Sequence, residues 1–519
     1  MVPELVQPHR AIREQWMEQS RVAIGKEEWL RLAADVKLPT AAFIQGEYKV
    51  AKSDRRFVCT NPATGKSLAE VDDCGVEEVH EAVASARKAF TDGYWSRAEP
   101  AARKAALRRL AELILRDARD LALMDTLSMG KPIRDSYESD VPGAAAFFEW
   151  YAEAVDKIYD DIAPTGTAAL GLITREPIGV VGAIVPWNYP IEEASVKLAP
   201  ALAAGNSVVL KPAEQSPFSA LRLGELALEA GLPPGVLNVV PGLGETAGQS
   251  LGRHPDVDCI TFTGSTAVGK LLLRYSGESN LKRVWLECGG KSPNIVFDDT
   301  DEVQFAVSEA VRSVFRNQGE VCSAGSRLLL QRSIHREFVE QVVASAQQII
   351  PGDPLNPATR MGALVSVDHT GKVLDYIESG KRQGAKLVHG GVRLMIDGIG
   401  NYVPPTIFDN VSNDMIIARE EIFGPVLAVI PFDTEEDAVA IANDSIYGLV
   451  GSVWTSNLER AHRVARRLQV GSVTVNGVDV QNTLVPFGGY KQSGIGRERS
   501  LRGFDNYTNT KTTWFRFHH

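Results

Sequence analysis

Two residues in this chain have side chains that can do covalent chemistry as a pair. Cys322 lies in NQGEVCSAG (317–325), where glycines and small residues leave a thiol open to substrate on one side and a nucleotide ring on the other. Glu287 lies thirty-five residues upstream in WLECGGKSPN (285–294), and the Gly-Gly-Lys after it implies a tight turn on which the carboxylate can swing. A thiolate that captures a carbonyl carbon, with a carboxylate that then activates water, makes a thioester mechanism with its own hydrolytic base. Each residue also has a plainer reading. A lone cysteine is commonly a small buried hydrophobe, and a glutamate is commonly solvated surface.

The chain that must position them has 519 residues, which is too long for one core and implies two or three domains. A net charge of −10 argues against a nucleic-acid surface. Five widely spaced cysteines with no CxxC pair fit neither a disulfide framework nor a zinc site, and no metal is expected. They suit a reducing compartment. The charged amino terminus has no apolar leader, and no run of about eighteen apolar residues occurs, so a cytoplasmic protein is expected.

Residues 1 to about 40 read as a charged helical extension, followed by short strands at FIQGEY (43–48) and around 57–71. From Val76 to Met129 the spacing predicts helices, with Leu107, Leu110 and Ile114 on one face. Residues 158–175 predict an extended hairpin. The middle of the chain then changes character. IGVVGAIVPW (178–187), NSVVLKP (206–212), VLNVVPG (236–242) and CITFTGS (259–265) are continuous apolar runs separated by helix-like segments. Continuous apolar strands spaced by helices predict a doubly wound α/β parallel sheet with ligands at the strand carboxyl ends. The same alternation recurs from about 290 to 480, and the tail predicts a last strand carrying Trp514 and Phe517.

Three segments have the chemistry of a dinucleotide site. GLGETAG (242–248) follows a strand and opens a helix, with Gly244 and Gly248 spaced GxGxxxG rather than GxGxxG. FTGSTAVGK (262–270) has the same context, and Gly264, Ser265 and Gly269 would leave backbone N–H groups for a pyrophosphate. Such loops also occur without ligands. KPAE places Lys211 and Glu214 where a strand passes into its helix. An acid there accepts from ribose hydroxyls and repels a 2′-phosphate, which favours NAD over NADP.

VPWNYP, LKPAE, FTGS, LECGGKSPNIVF, NQGEVCSAGSR, EEIFGPV and PFGGYKQSGIGRE follow one another in this order. From about residue 40 onward the chain resembles the NAD(P)-dependent aldehyde dehydrogenases. It looks most like the bacterial γ-glutamyl-γ-aminobutyraldehyde and ω-aminoaldehyde enzymes of polyamine breakdown. The resemblance implies Cys322 as nucleophile, Glu287 as base, Asn188 as oxyanion donor and Lys197 behind the active site. It implies nucleotide contacts at Lys211, Glu214, Ser265 and Glu421, with Trp187 and Phe423 at the nicotinamide end. The implied reaction expels a hydride to NAD and releases the free acid. The implied fold is a Rossmann-type nucleotide domain (41–157 and 174–289) and an α/β catalytic domain (290–493). A β oligomerisation element (158–173 and 494–519) would make a homodimer or homotetramer.

The departures from the family point to the substrate. After PWNYP the family continues with apolar tunnel residues, whereas IEEASVK places Glu192, Glu193 and Val196 there. Acids in a dry tunnel are costly unless a cation meets them. Glu193, with Asp479 near the tunnel mouth, is therefore expected to receive an ammonium or guanidinium tail. The alternative is that the glutamates turn outward or pair with an arginine. Leu364 replaces a polar residue that meets the ribose in relatives. A broad aliphatic or aromatic aldehyde dehydrogenase is the competing reading, and a non-catalytic structural relative is the third. Retention of Asn188, Glu287 and Cys322 together weighs against that third reading.

Overall fold

The computed structural model describes residues 24–478 and 482–517. Its first sheet is built outward from Val180–Ile184. The helix Pro190–Ala203 returns the chain to Ser207–Lys211, and Phe218–Glu229 returns it to Leu237–Val239. The chain then crosses to the other side of Val180–Ile184, adding Cys259–Thr263 and, after helix Thr266–Glu278, Arg283–Glu287. All five strands are parallel. Val180–Ile184, Ser207–Lys211 and Cys259–Thr263 are buried at every position, which is why they read as unbroken apolar runs. Antiparallel strands Ala42–Ile44 and Glu47–Lys49 extend one edge, and Gly494–Ile495 the other.

The order of strands reverses between Val180–Ile184 and Cys259–Thr263. Ligands of open α/β sheets bind at that crevice, beyond the carboxyl ends. Here those ends lead directly into Trp187 and Asn188, Lys211 and Glu214, Gly264 and Ser265, and Glu287.

A second sheet runs in the order Lys386–His389, Thr406–Asp409, Val426–Phe432, Arg327–Gln331, Pro293–Val296, Val450–Trp454, Ser472–Val475, parallel except at Lys386–His389. It presents amino ends to the site. Residues 289–292, 322–326 and 421–425 each precede one of its central strands. These segments are thus short connections between the carboxyl ends of one sheet and the amino ends of another.

Asp161–Ala163, Ala169–Pro177 and Thr508–Arg516 form a separate antiparallel sheet. The end of the amino-terminal extension forms helix Lys26–Asp35, whose buried Trp29 meets Tyr137 edge-on at 5.3 Å. Among the described residues no helix is long and apolar enough to cross a membrane.

Candidate active site

The Cys322 loop gets its shape from three successive left-handed residues. Helix Val303–Phe315 ends, and Asn317, Gln318 and Gly319 take φ of 47°, 57° and 74°. Two of these are not glycine, and each costs about 1–3 kcal/mol that the surroundings must offset. They do so through hydrogen bonds. The Asn317 amide donates to the carbonyl oxygens of Asn188 (3.1 Å) and Glu320 (3.2 Å), and Gln318 Oε1 accepts from Gly362 N at 3.0 Å. Glu320 is fully buried and its Oε1 accepts from Val365 N at 2.9 Å. Burial holds that carboxyl well above its ordinary range. Gly319 packs on Gly424, where a Cβ would lie 2.3 Å from the carbonyl group.

The strapped loop fixes Asn188, whose Nδ2 donates to Glu320 O at 2.9 Å. Of the five cysteines, four are buried and only Cys322 is partly exposed. Burial pushes the thiols of Cys59, Cys74, Cys259 and Cys288 up to about 12, so they stay protonated and inert at neutral pH.

Glu287 ends its strand, and Gly289 and Gly290 follow without adopting left-handed angles. Their small size serves close approach instead. A Cβ on Gly290 would lie 2.4 Å from Cys322 O, and one on Gly289 would lie 2.0 Å from Glu421 Oε2. This dipeptide joins Glu287, the Cys322 loop and Glu421. Ser493 pins it, accepting Cys288 N at 2.8 Å and donating to Gly289 O at 2.7 Å. Glu287 Oε2 is buried without a hydrogen-bond partner. Burial raises this carboxyl well above its ordinary range, with Glu498 and Glu193 adding repulsion and Lys197 and Arg497 opposing it. Lys197 is itself buried and its Nζ donates to Glu498. Burial alone would lower Lys197, but Glu498, Glu193 and Glu287 together hold it above its ordinary value.

The crevice residues also converge. Ser265 caps helix Thr266–Glu278 by accepting from Val268 N at 3.3 Å. Lys211 Nζ is buried, donates to Pro212 O at 2.6 Å and lies 3.7 Å from Glu214 Oε2. Burial lowers it, with Glu214 opposing. Gly248 abuts the Lys211 stem, with 3.7 Å from its built Cβ to Lys211 Cδ, and nothing approaches Gly244 within 4 Å. Gly264 and Gly269 are glycines for packing reasons, since a Cβ would lie 2.5 Å from the Phe262 ring or 2.9 Å from Cys288 Sγ. Trp187 meets Phe423 edge-on at 5.3 Å and His369 at 5.5 Å. Glu421 Oε1 accepts from Gly290 N at 3.0 Å, and burial pushes its carboxyl up to about 7. Leu364 is core, not site.

Residues 49–513 match the model of the aldehyde dehydrogenase family. The chain belongs to that family. It is an oxidoreductase whose substrate is an aldehyde. It is 50% identical to the NADP/NAD-dependent aldehyde dehydrogenase PuuC of Escherichia coli, over 94% of this chain and 97% of that one. It is 48% identical to the aminoacetaldehyde dehydrogenase of Pseudomonas aeruginosa, over 95% and 98%. It superimposes with a TM-score of 0.95 on an indole-3-acetaldehyde dehydrogenase complexed with NAD+, at 53% identity, over 95% of this chain and all of that one.

In this aldehyde dehydrogenase Glu192 and Glu193 occupy the first turn of helix Pro190–Ala203, where the helix dipole favours acids. Every other residue from Pro190 to Ala203 is buried, yet these two keep accessible surface. They are nevertheless deep in the protein. Burial is the main cause raising both, Glu192 to about 7. Asp479 lies outside the described residues. Glu498 and Arg499 escaped sequence reading, although both follow directly on the GIGR of a recognised motif. Asn317 and Glu320 escaped it too, because their work is done by backbone contacts.

Proposed function

We propose that this aldehyde dehydrogenase oxidises an aldehyde with a cationic tail to the free carboxylic acid, using NAD in preference to NADP. An ω-amino, γ-glutamylamino or guanidino aldehyde fits that description. The observation that carries the reading is the pair Glu192 and Glu193, deep but reachable on the helix that begins two residues after Asn188. An aminoacetaldehyde dehydrogenase among the relatives supports it. The NAD+ complex of a structural relative and the NADP/NAD dependence of PuuC support the cofactor.

The residues present fit the dinucleotide. Lys211 and Glu214 would hold a ribose, the Ser265 turn the pyrophosphate, with Gly244 and Gly248 leaving room beside it. Glu421 would hold the second ribose between Trp187 and Phe423. NAD, when bound there, supplies the acceptor for the hydride that leaves the substrate carbon. The chain's own residues do the rest. Cys322, as thiolate, adds to the aldehyde carbon, and the oxygen becomes an alkoxide. Asn188 Nδ2 and the Cys322 N–H donate to it, each typically worth about 3–4 kcal/mol. Asn188 is already aimed by its bond to Glu320 O. Glu287 then takes a proton from water as the hydroxide oxygen bonds to the thioester carbon, and the carbon–sulfur bond breaks to return the thiolate. A carboxyl held above its ordinary range is a stronger base once ionised. Lys197, paired with Glu498, is the cation that opposes further rise.

We also infer a homodimer or homotetramer in the cytoplasm. Thr508–Arg516 is a sheet edge with Trp514, Phe515 and Phe517 exposed, and the five thiols suit a reducing compartment.

NADH production from 3-aminopropanal, 4-aminobutanal, 4-guanidinobutanal, betaine aldehyde and hexanal tests the reading, with Glu193→Gln alongside. Preference for the cationic aldehydes, lost selectively in Glu193→Gln, is the expected result. An equal fall for cationic and aliphatic aldehydes overturns it in favour of a broad aliphatic or aromatic enzyme, which the indole-3-acetaldehyde relative would fit.

A further inference from the structure

His369 is the third residue of helix Val367–Arg382, and its backbone N donates to the capping Ser366 Oγ at 3.1 Å. Its ring centre lies 5.5 Å from that of Trp187 and 6.3 Å from that of Phe423, and those two lie 5.3 Å apart. All three pairs meet edge-on, so the rings close a triangle. His369 Nε2 lies 2.7 Å from Phe423 O. A carbonyl oxygen only accepts, so this nitrogen carries the proton and donates it.

Phe423 has a backbone that needs holding. Its φ is 56°, in the left-handed region that a bulky aromatic residue rarely adopts and that persists only where the surroundings impose it. Helix Val367–Arg382 supplies two of the constraints. His369 bonds the Phe423 carbonyl, and Val373, one turn further on, crowds the next residue: a Cβ on Gly424 would lie 2.6 Å from Val373 Cγ2. Gly319 of the Cys322 loop packs against the Gly424 carbonyl group as a third. The start of the helix is itself tied to that loop. Val365 N donates to Glu320 Oε1 at 2.9 Å, and the same oxygen lies 3.7 Å from His369 Nε2. The imidazole therefore sits where the Cys322 loop, Phe423 and Trp187 meet.

We propose that His369 is a positioning residue for the nicotinamide end, its Nε2–H locking Phe423 in the left-handed conformation that sets the phenyl ring against Trp187. This rests on the placement of Trp187 and Phe423 at the nicotinamide end and goes beyond it. His369 acts through Phe423 rather than on the cofactor. Without its bond the Phe423 peptide relaxes toward ordinary angles and carries the ring away from Trp187. Packing alone would be satisfied by any side chain of similar size, whereas the lock requires a donor at the position of Nε2.

The test is steady-state NADH production across NAD concentrations, with 3-aminopropanal or hexanal, whichever the parent oxidises faster, held saturating. AMP serves as a competitive inhibitor that occupies only the adenosine end. His369→Ala should raise the KM for NAD at least about fivefold, while the Ki of AMP stays within about twofold of the parent. His369→Gln, whose amide nitrogen lies as many bonds from the backbone as Nε2, should keep KM within about threefold. His369→Asn, one bond shorter, should behave as His369→Ala does and replaces it should that variant fail to fold. Phe423→Gly should raise KM by itself. Glycine takes left-handed angles freely, so adding His369→Ala to it should cost less than about threefold more. A smaller rise in His369→Ala, an equal rise in the Ki of AMP, no recovery in His369→Gln, or full additivity in the double variant overturns the assignment. If Phe423→Gly leaves KM unchanged, the placement of the nicotinamide end at Phe423 falls. If Phe423→Gly raises KM while His369→Ala does not, only the role of His369 falls.

Discussion

A methyl group on Gly289 should damage cofactor binding without touching the cofactor. A Cβ there would lie 2.0 Å from Glu421 Oε2, 2.7 Å from its carboxyl carbon and 3.0 Å from Oε1. Ordinary carbon–oxygen contacts begin at about 3.3 Å, so the carboxylate must retreat by more than about 1 Å. Gly289 has Ser493 on its carbonyl and the Glu287 strand before it, so the backbone cannot yield instead. The retreat breaks the 3.0 Å bond from Gly290 N to Glu421 Oε1. Losing a hydrogen bond to a charged group costs about 1.5–3 kcal/mol, which is roughly a 10- to 150-fold rise in KM for NAD. Glu421→Ala should raise KM similarly, and the double variant should be no worse than Glu421→Ala alone, because both act on one group. Steady-state NADH production across NAD concentrations, at saturating aldehyde, measures all three. If Gly289→Ala still adds its full effect in the Glu421→Ala background, the steric argument is wrong. An unchanged KM in a folded Gly289→Ala protein would refute the assignment of Glu421 to the ribose.

Cys322→Ala should abolish both NADH production and hydrolysis of a nitrophenyl ester, by on the order of 10⁴-fold or more; residual ester hydrolysis near the parent rate would show that another group is the nucleophile. Asn188→Ala should lower kcat by about 10²–10³ with little change in KM, read from the same steady-state curves. Glu287→Gln should accumulate acyl-enzyme, seen as an NADH burst followed by slow turnover. Because the base must be ionised and its carboxyl is raised, the acid limb of the parent's kcat profile should lie above the ordinary carboxylate range, and a limb near 4 would contradict this. Asp125 is buried and raised from 3.8 to about 7 while its Oδ2 accepts Ile191 N at 3.2 Å. The folded state thus holds a proton that the unfolded state releases, so stability falls as pH rises from about 4 to about 7. Asp125→Asn should remove that slope in denaturant titrations, and parallel curves would refute it.

The parallel strands could be read from sequence because burial on both faces leaves a local mark, an unbroken apolar run between helices. Cys322 and Glu287 stand out in the sequence because reactive residue types lie among glycines. What stayed hidden depends on contacts between distant segments. Lys197 and Glu498 are 301 residues apart, and only the fold makes them a pair. The glycines show the same limit. Gly289 and Gly290 read as a turn, but they serve the approach of Glu421 and Cys322. Gly264 and Gly269 read as phosphate donors through their N–H groups, while their small size also answers to the Phe262 ring and Cys288 Sγ. A sequence shows that a Cβ is missing, not what would have struck it.

One helix carries the residues of both proposed roles, tail binding and catalysis. Asn188 precedes Pro190–Ala203, Glu192 and Glu193 form its first turn, and Lys197 lies one turn deeper. Glu193 therefore cannot serve tail binding alone. Its charge raises Lys197 and adds to the repulsion that raises Glu287. Neutralising Glu193 weakens the hold on a cation and, by the same stroke, lets Glu287 ionise at lower pH. On the proposed reading, a bound ammonium beside Glu193 would act in the second direction too, because it would cancel the same field. Under the proposed tail binding, the substrate tail would support ionisation of Glu287, and an uncharged aldehyde would lack that help. On the proposed reading, preference for a cationic aldehyde would belong to the deacylation step as well as to binding, since three carboxylates, Glu193, Glu287 and Glu498, act together on the single ammonium of Lys197.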